Sequence, residues 1–285
     1  MKCKSPLNLA AVAVGLCLLG VIAYCIWVEP NRLIVNHVWI ENPLLAEVLG
    51  GKVVVHISDL HIDRLGRREQ RVLQILDEVE PDLVFLTGDY VQWDGDYEAT
   101  FDFLSRLNAK VGVWAVMGDY DYSRSRMSCL FCHEKGSGKP TLRHSVRFLR
   151  NSFEKVDLPG GFIWIGGVDL EVKRPYSSDR HLLPENTQGP TIILSHNPLT
   201  FDLLKADQRV LMLSGDTHGG QIPLPSWLWR ILGYEKTARY RQGLFVKGKK
   251  KMYVSQGIGT SHIPTRLFCP PEVVVLHFRE NENGK

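Results

Sequence analysis

The sequence predicts an α/β fold, on three observations. Short β-branched runs alternate with segments of helical apolar spacing, the pattern of strands layered against helices. Apolar residues make up 44% and charged residues 23% of the 285, a globular balance that excludes a disordered, collagen-like or many-span membrane chain. The strand candidates are short and bounded by Gly, Asp and Ser, as strands ending in functional loops would be. The net charge of +3 carries no signature of nucleic acid as a partner.

The elements follow in chain order. Residues 5–28 bear no charge, and a helix of that length spans about 36 Å, enough for a bilayer core of about 30 Å. Lys2 and Lys4 precede it and Glu29 follows. Residues 1–28 are therefore expected to be a cytoplasmic tip and a single-pass anchor in the inner cell membrane, with the soluble part extracytoplasmic. The charge difference is small, so the cytoplasmic alternative stays open. A cleaved signal peptide is the rival, but Tyr24-Cys25-Ile26-Trp27 offers no small-x-small cleavage site. Residues 29–52 read as a connector. Strands are expected over 53–58, 83–86, 112–117, 162–168, 191–195, 210–213, 252–255 and 273–278. Helices are expected over 67–79, where Val72, Leu73, Ile75, Leu76 and Val79 share a face, and over 97–107 and 199–206. Residues 123–144 break the alternation and read as an insertion in a domain spanning 53–280. Residues 225–251 show no clear period.

Five of these strands end in metal-ligand residue types. They are followed by Asp59-Leu60-His61, by Gly88-Asp89, by Gly118-Asp119-Tyr120-Asp121, by His196-Asn197, and by Gly215-Asp216-Thr217-His218-Gly219-Gly220. Ligands in α/β sheets gather at the carboxyl ends of strands. One Asp or His there would be a cap or a solvated turn; five such ends together point to a metal site. Mixed Asp/His donors suit divalent ions of Mn, Fe or Zn type.

This ordered set resembles the calcineurin-like metallophosphoesterases over residues 53–278. The tail Gln256-Gly257-Ile258-Gly259-Thr260-Ser261, with Pro264-Thr265-Arg266 and Pro270-Pro271-Glu272, resembles a membrane-anchored bacterial subgroup. That subgroup includes the chlamydial type of UDP-2,3-diacylglucosamine pyrophosphohydrolase. The resemblance implies a four-layer αββα sandwich, two central sheets flanked by helices, with two divalent metal ions at one edge. It implies Asp59, His61, Asp89 and His218 around one ion, and Asp89, Asp119, His196 and Asp216 around the other. It also implies hydrolysis of a phosphodiester or diphosphate, of a lipid or nucleotide-lipid in this subgroup, by hydroxide attack on phosphorus.

Three positions depart from the family pattern. Asp119 stands where Asn is usual, Tyr120 where His is usual, and Asp216 where His is usual. The first and third replacements are still competent oxygen ligands but double the carboxylate count, which lowers Lewis acidity and favours a harder ion. Tyr120, with Asp121 beside it, occupies the catalytic position. Loss of the His removes a proton donor worth typically about 10²–10⁴-fold, so diphosphates and aryl diesters are expected to be better substrates than alkyl phosphates. A degenerate domain kept for binding is the alternative.

Two further motifs lie outside this set. Cys129-Leu130-Phe131-Cys132-His133 matches the attachment pattern of c-type haem, with His144 as a distal candidate. A haem-bearing redox or sensory protein is thus the second functional class. A disulfide, a zinc site with His133 and His144, and an ordinary loop are its rivals. Trp227, Trp229 and Arg230, followed by a basic run, suit a lipid surface or an approaching substrate, as does Arg266. A partly buried loop is the plain reading of the same residues.

Overall fold

A computed structural model of the protein describes residues 6–93, 95–122, 130–133, 139–169, 189–261 and 263–280. An apolar helix α1 (Pro6–Ala23) continues through a wider turn (Tyr24–Val28). Then come β1 (Ile34–Glu41), α2 (Pro43–Leu49), β2 (Val54–Ile57), α3 (Arg67–Val79), β3 (Leu83–Thr87), α4 (Tyr97–Ser105) and β4 (Gly112–Val116). The chain continues with β5 (Arg147–Phe148), β6 (Ser152–Leu158), β7 (Gly161–Val168), β8 (Thr191–Ser195) and β9 (Val210–Ser214). It closes with α5 (Ser226–Ile231), α6 (Glu235–Arg239), β10 (Gly243–Lys247), β11 (Lys250–Val254) and β12 (Glu272–Arg279).

Two six-stranded sheets stack face to face. Their orders are β1-β12-β2-β3-β4-β5 and β10-β11-β9-β8-β7-β6. Both are mixed: β2, β3 and β4 run parallel, as do β7, β8 and β9, while β12 pairs antiparallel with β2. The central strands are buried on both faces, and their side chains alternate between two cores. Val55, Ile57, Val84 and Leu86 face α3 and α4, packing on Val72, Ile75, Leu76, Phe103 and Leu104. Val54, Phe85, Trp114, Ile192, Leu194 and Leu213 fill the space between the sheets. A third core on the outer face of the second sheet joins Ile193, Met212, Phe201 and Tyr240. This is the four-layer αββα sandwich.

The region read as a connector needs correction. Residues 34–41 form β1 and pair in parallel with β12 along its whole length, and α2 packs Leu45 and Leu49 into the inter-sheet core. The alternation of β1 is apolar on the wrong scale for a sequence reading, because only Ile40 is fully buried. The helix expected at 199–206 is a 3-10 turn, Pro198–Leu203, opened by the Asn197 side chain. The helical run Ala10–Asn31 is long and apolar enough to cross a membrane, a property that a signal sequence shares.

Candidate metal centre

The site forms where β2, β3, β4, β8 and β9 end together. Five of its residues leave the strands in left-handed backbone conformations: Asp59 (φ 53°), His61 (φ 45°), Asp89 (φ 55°), Asp216 (φ 74°) and His218 (φ 50°). Such φ values are uncommon for residues with a side chain and cluster at functional sites. Here the reversal turns each side chain off its sheet and toward a common point.

Two donor groups result. Asp59, His61, Asp89 and His218 bring one ligand atom each within 4.8 Å of one another, and all four are buried. The Nε2 atoms of His61 and His218 face each other at 3.1 Å. Asp89 Oδ2 lies 3.4 Å from the first and Asp59 Oδ1 lies 3.6 Å from the second. Asp119, His196 and Asp216 form the second group within the same limit. His196 Nε2, 3.5 Å from Asp89 Oδ2, makes no hydrogen bond, while its Nδ1 donates to the Thr87 carbonyl at 2.7 Å. That bond fixes the ring orientation and leaves Nε2 facing Asp89.

The first group fits a divalent ion. Burial pushes the carboxyl of Asp59 up to about 6 and that of Asp89 well above the carboxylate range. Burial likewise pushes His61 down to about 3 and His218 well below its ordinary value. Two imidazoles and two carboxylates converging in a buried pocket are a donor set that a divalent ion would take. The second group differs. Burial would lower His196, but Asp89, Asp216 and Asp59 push it up to about 10. Lys236, at the start of α6, bonds Asp216 Oδ2 and lies 3.8 Å from Asp119 Oδ2. The same side chain thus reaches both of the unusual carboxylates.

The other sequence candidates fall into three classes. Tyr120 stands at the mouth, its ring edge-on to His61 at 4.6 Å and to Trp93 at 5.9 Å. Burial and the Asp89 and Asp119 carboxylates push its phenol up to about 12. Asp121 is fully buried and acts as a frame. Its carboxylate accepts from the amides of Gly118 (2.7 Å), Tyr90 (2.8 Å) and Asp89 (2.9 Å). With those oxygens engaged, it positions Asp89 rather than meeting a substrate.

Arg266, expected to meet substrate or lipid, does neither. It is 0% exposed and its guanidinium donates to the carbonyls of Cys269 (3.0 Å), Gln256 (2.9 Å) and Gly257 (3.1 Å). It clamps the loop that backs Asp59. Trp227 and Arg230 are exposed on α5, and Arg230 pairs with Glu235 at 3.4 Å. Trp229 is half-buried against Tyr234, beside Gly220.

For the cysteine motif the structure takes the disulfide reading. Cys132 is disulfide-bonded, so its sulfur has no thiol to add across a haem vinyl group. Cys129 lies outside the described residues. His133 is exposed, and His144 bonds the Phe131 carbonyl through Nε2 at 2.9 Å. Phe131 accounts for the segment's packing: it is fully buried among Tyr90, Tyr97, Phe101 and Phe148.

Two groups carry functions that the sequence did not signal. Lys236 sits in the aperiodic 225–251 stretch, where one cation among many draws no attention. His56, buried between the sheets, bonds Thr87 Oγ1 at 2.8 Å, and Thr87 donates to Ser58 Oγ at 2.7 Å. This buried relay braces the strand ends behind Asp59 and His196.

Comparison with known proteins agrees with this geometry. The sequence model of the family described as calcineurin-like phosphoesterase matches residues 52–231. The chain is 27% identical to the metallophosphoesterase YkuE of Bacillus subtilis, over 90% of this chain and 89% of the relative. It is 28% identical to the phosphodiesterase YaeI of Escherichia coli, over 78% and 80% respectively. It is 26% identical to the UDP-2,3-diacylglucosamine pyrophosphatase LpxG of Chlamydia muridarum, over 87% and 90%.

Proposed function

The chain belongs to the calcineurin-like phosphoesterase family, and from that premise we propose that it is a membrane-anchored, metal-dependent hydrolase of a lipid-linked diphosphate or phosphodiester. The observation that carries the hydrolytic reading is the buried convergence of Asp59, His61, Asp89 and His218, four donors within 4.8 Å at the strand ends. A divalent ion held by these four residues would supply a Lewis acid for phosphoryl oxygens and water of lowered pKa. The chain's own residues do the rest. Asp121 fixes Asp89 through three backbone amides, and the Tyr120 amide donates to Asp89 Oδ1 at 2.9 Å. His196 and the Asp119–Asp216 pair line the second cation position.

Tyr120 bears on the choice of leaving group. A phenol held near 12 is protonated at neutral pH and donates a hydrogen bond, but it surrenders its proton far less readily than an imidazolium. A leaving phosphate needs little protonation, whereas an alkoxide needs it fully. This favours diphosphates and aryl diesters, in keeping with the pyrophosphatase named among the relatives.

The lipid assignment rests on how the apolar helix meets the site. The Cys25 carbonyl accepts from the Arg266 amide at 3.0 Å, and the buried Glu29 carboxylate accepts from the Cys269 amide at 3.0 Å. Cys269 Sγ in turn donates to the His218 carbonyl at 3.2 Å. At this junction Trp27, two residues from Cys25, and Phe268, next to Cys269, are exposed, at 67% and 76% of their surface. Exposed aromatic side chains where an apolar helix meets the site suit a substrate that stays in the bilayer surface.

The test compares three substrates with Mn2+ and the full chain in detergent: bis-p-nitrophenyl phosphate, a lipid-linked diphosphate and an alkyl phosphomonoester. Turnover of the first two above the third is expected. Faster turnover of the alkyl monoester would sink the diphosphate reading, and no metal-dependent turnover of any would sink the enzyme. A C-terminal topology reporter assigns the side of the membrane, expected extracytoplasmic.

A further inference from the structure

The two donor groups at the strand ends are unequal, and the inequality has a single cause. Around Asp59, His61, Asp89 and His218, no lysine or arginine makes an ion pair among the described residues. Around Asp119 and Asp216, the Lys236 ammonium is already in place. It bonds Asp216 Oδ2 and sits 3.8 Å from Asp119 Oδ2.

We propose that the Lys236 ammonium is the second cation of this centre, so that the chain holds one divalent ion, in the Asp59–His61–Asp89–His218 group, and not two. This refines the reading of the site as a metal-dependent hydrolase and rests on it.

The argument is one of shared oxygens. A second divalent ion would need carboxylate oxygens from Asp119 and Asp216 at bonding distance, about 2.0–2.2 Å. The ammonium is hydrogen-bonded to one of those carboxylates and within ion-pair range of the other. An ammonium and a divalent ion cannot use the same oxygens without strong mutual repulsion in a partly buried site. The position of Lys236 is built and not incidental. α6 starts at Glu235, and Thr237 and Ala238 are buried beside it, so the backbone carrying Lys236 is anchored to the domain. Asp119, Asp216 and Lys236 then form one device. Two extra carboxylates would burden a two-ion site with surplus negative charge; one lysine reaching both offsets part of that charge and holds them apart.

In the reaction, the ammonium stands where it can donate to a phosphoryl oxygen once a substrate displaces one of its carboxylate contacts. Unlike an ion, it supplies no water of lowered pKa, so the nucleophile must come from the Asp59–His61 side. The lysine therefore has a positioning and charge-balancing role.

The experiment is a count. The full chain in detergent is stripped with chelator, titrated with Mn2+ alone by calorimetry, and assayed for bound manganese by elemental analysis; electron paramagnetic resonance reads whether the ions are isolated or spin-coupled. One manganese per chain with an uncoupled spectrum is expected for the wild type. Lys236→Met is expected to take up a second, spin-coupled manganese, and Lys236→Arg to keep one. Two coupled ions in the wild type would overturn the inference while leaving the hydrolase reading standing. One ion in both wild type and a folded Lys236→Met would overturn the role of Lys236. No manganese in the wild type, with no hydrolysis, would overturn the hydrolase reading and this inference with it. The wild-type count decides by itself if Lys236→Met does not fold.

Discussion

Replacing Gly118 with alanine adds one methyl group at the most crowded backbone contact in the site. A Cβ at 118 would lie 2.2 Å from Asp89 Oδ1 and 2.3 Å from the Asp89 amide nitrogen. Unstrained contacts of this kind need about 3.5 Å, so something must retreat by about 1 Å. Gly118 cannot, because its amide is hydrogen-bonded to Asp121 at 2.7 Å and it is itself buried just beyond the buried end of β4. Asp89 must therefore move. Carboxylate–metal bonds tolerate a few tenths of an ångström, so the shift is expected to cost about tenfold to a hundredfold in Mn2+ affinity. Overpacking costs about 1–3 kcal/mol, a fall in melting temperature of about 5 °C for a domain of this size. Calorimetric titration with Mn2+ and melting curves with and without the ion measure both. A folded Gly118→Ala that binds Mn2+ as tightly as the wild type would refute the reasoning, because Asp89 would then not be held by that contact.

Three more outcomes follow from the same geometry. Tyr120→His restores a proton donor at the mouth and is expected to speed alkyl ester hydrolysis by about tenfold to a hundredfold, with little change for diphosphates; equal gains on both substrates would count against the leaving-group argument. Arg266→Met strips donors from the carbonyls of Cys269, Gln256 and Gly257 and is expected to cost about 3 kcal/mol. That variant should melt lower while bound Mn2+ per folded chain stays unchanged. The third concerns pH without metal. Asp121, raised to about 7, and Asp89, pushed well above the usual carboxylate range by burial, favour the fold while protonated, and His196, raised to about 10, does so while charged. All three contributions are lost as pH rises through the folded values, so the metal-free chain should melt progressively lower from pH 6.5 to 9. His61, held at about 3, acts in the opposite sense only below about 6.5. A flat melting profile over that range would contradict the shifts, and added Mn2+ should reduce the slope.

The central sandwich was readable because its strands are buried on both faces and so appear as continuous apolar runs; 67–79 and 191–195 match α3 and β8 residue for residue. β1 was not, since Asn36, His37 and Glu41 interrupt an edge strand that gains its place from pairing with β12, more than 230 positions away. The metal residues were legible because each follows a strand directly, so sequence adjacency stood in for spatial adjacency. Arg266 was misjudged because a buried arginine serving only carbonyls has no linear signature. Lys236 reaches the site from a helix of five residues, and only the fold brings it to Asp216. The cysteine motif left haem, disulfide, zinc and a plain loop open, and only the fold shows Cys132 in a disulfide.

The left-handed backbone at Asp59, His61, Asp89, Asp216 and His218 has a consequence for how this chain can change. Each such residue costs about 1 kcal/mol relative to relaxed backbone, so about 5 kcal/mol is concentrated in one corner, a large share of a typical domain's net stability. Glycine at any of the five would relax the chain, and a laboratory selection for heat resistance alone would find those substitutions attractive. Each one deletes a donor. Thermostability and metal binding therefore pull in opposite directions at these five positions, and improvement of the first without loss of the second must come from the sandwich beneath them.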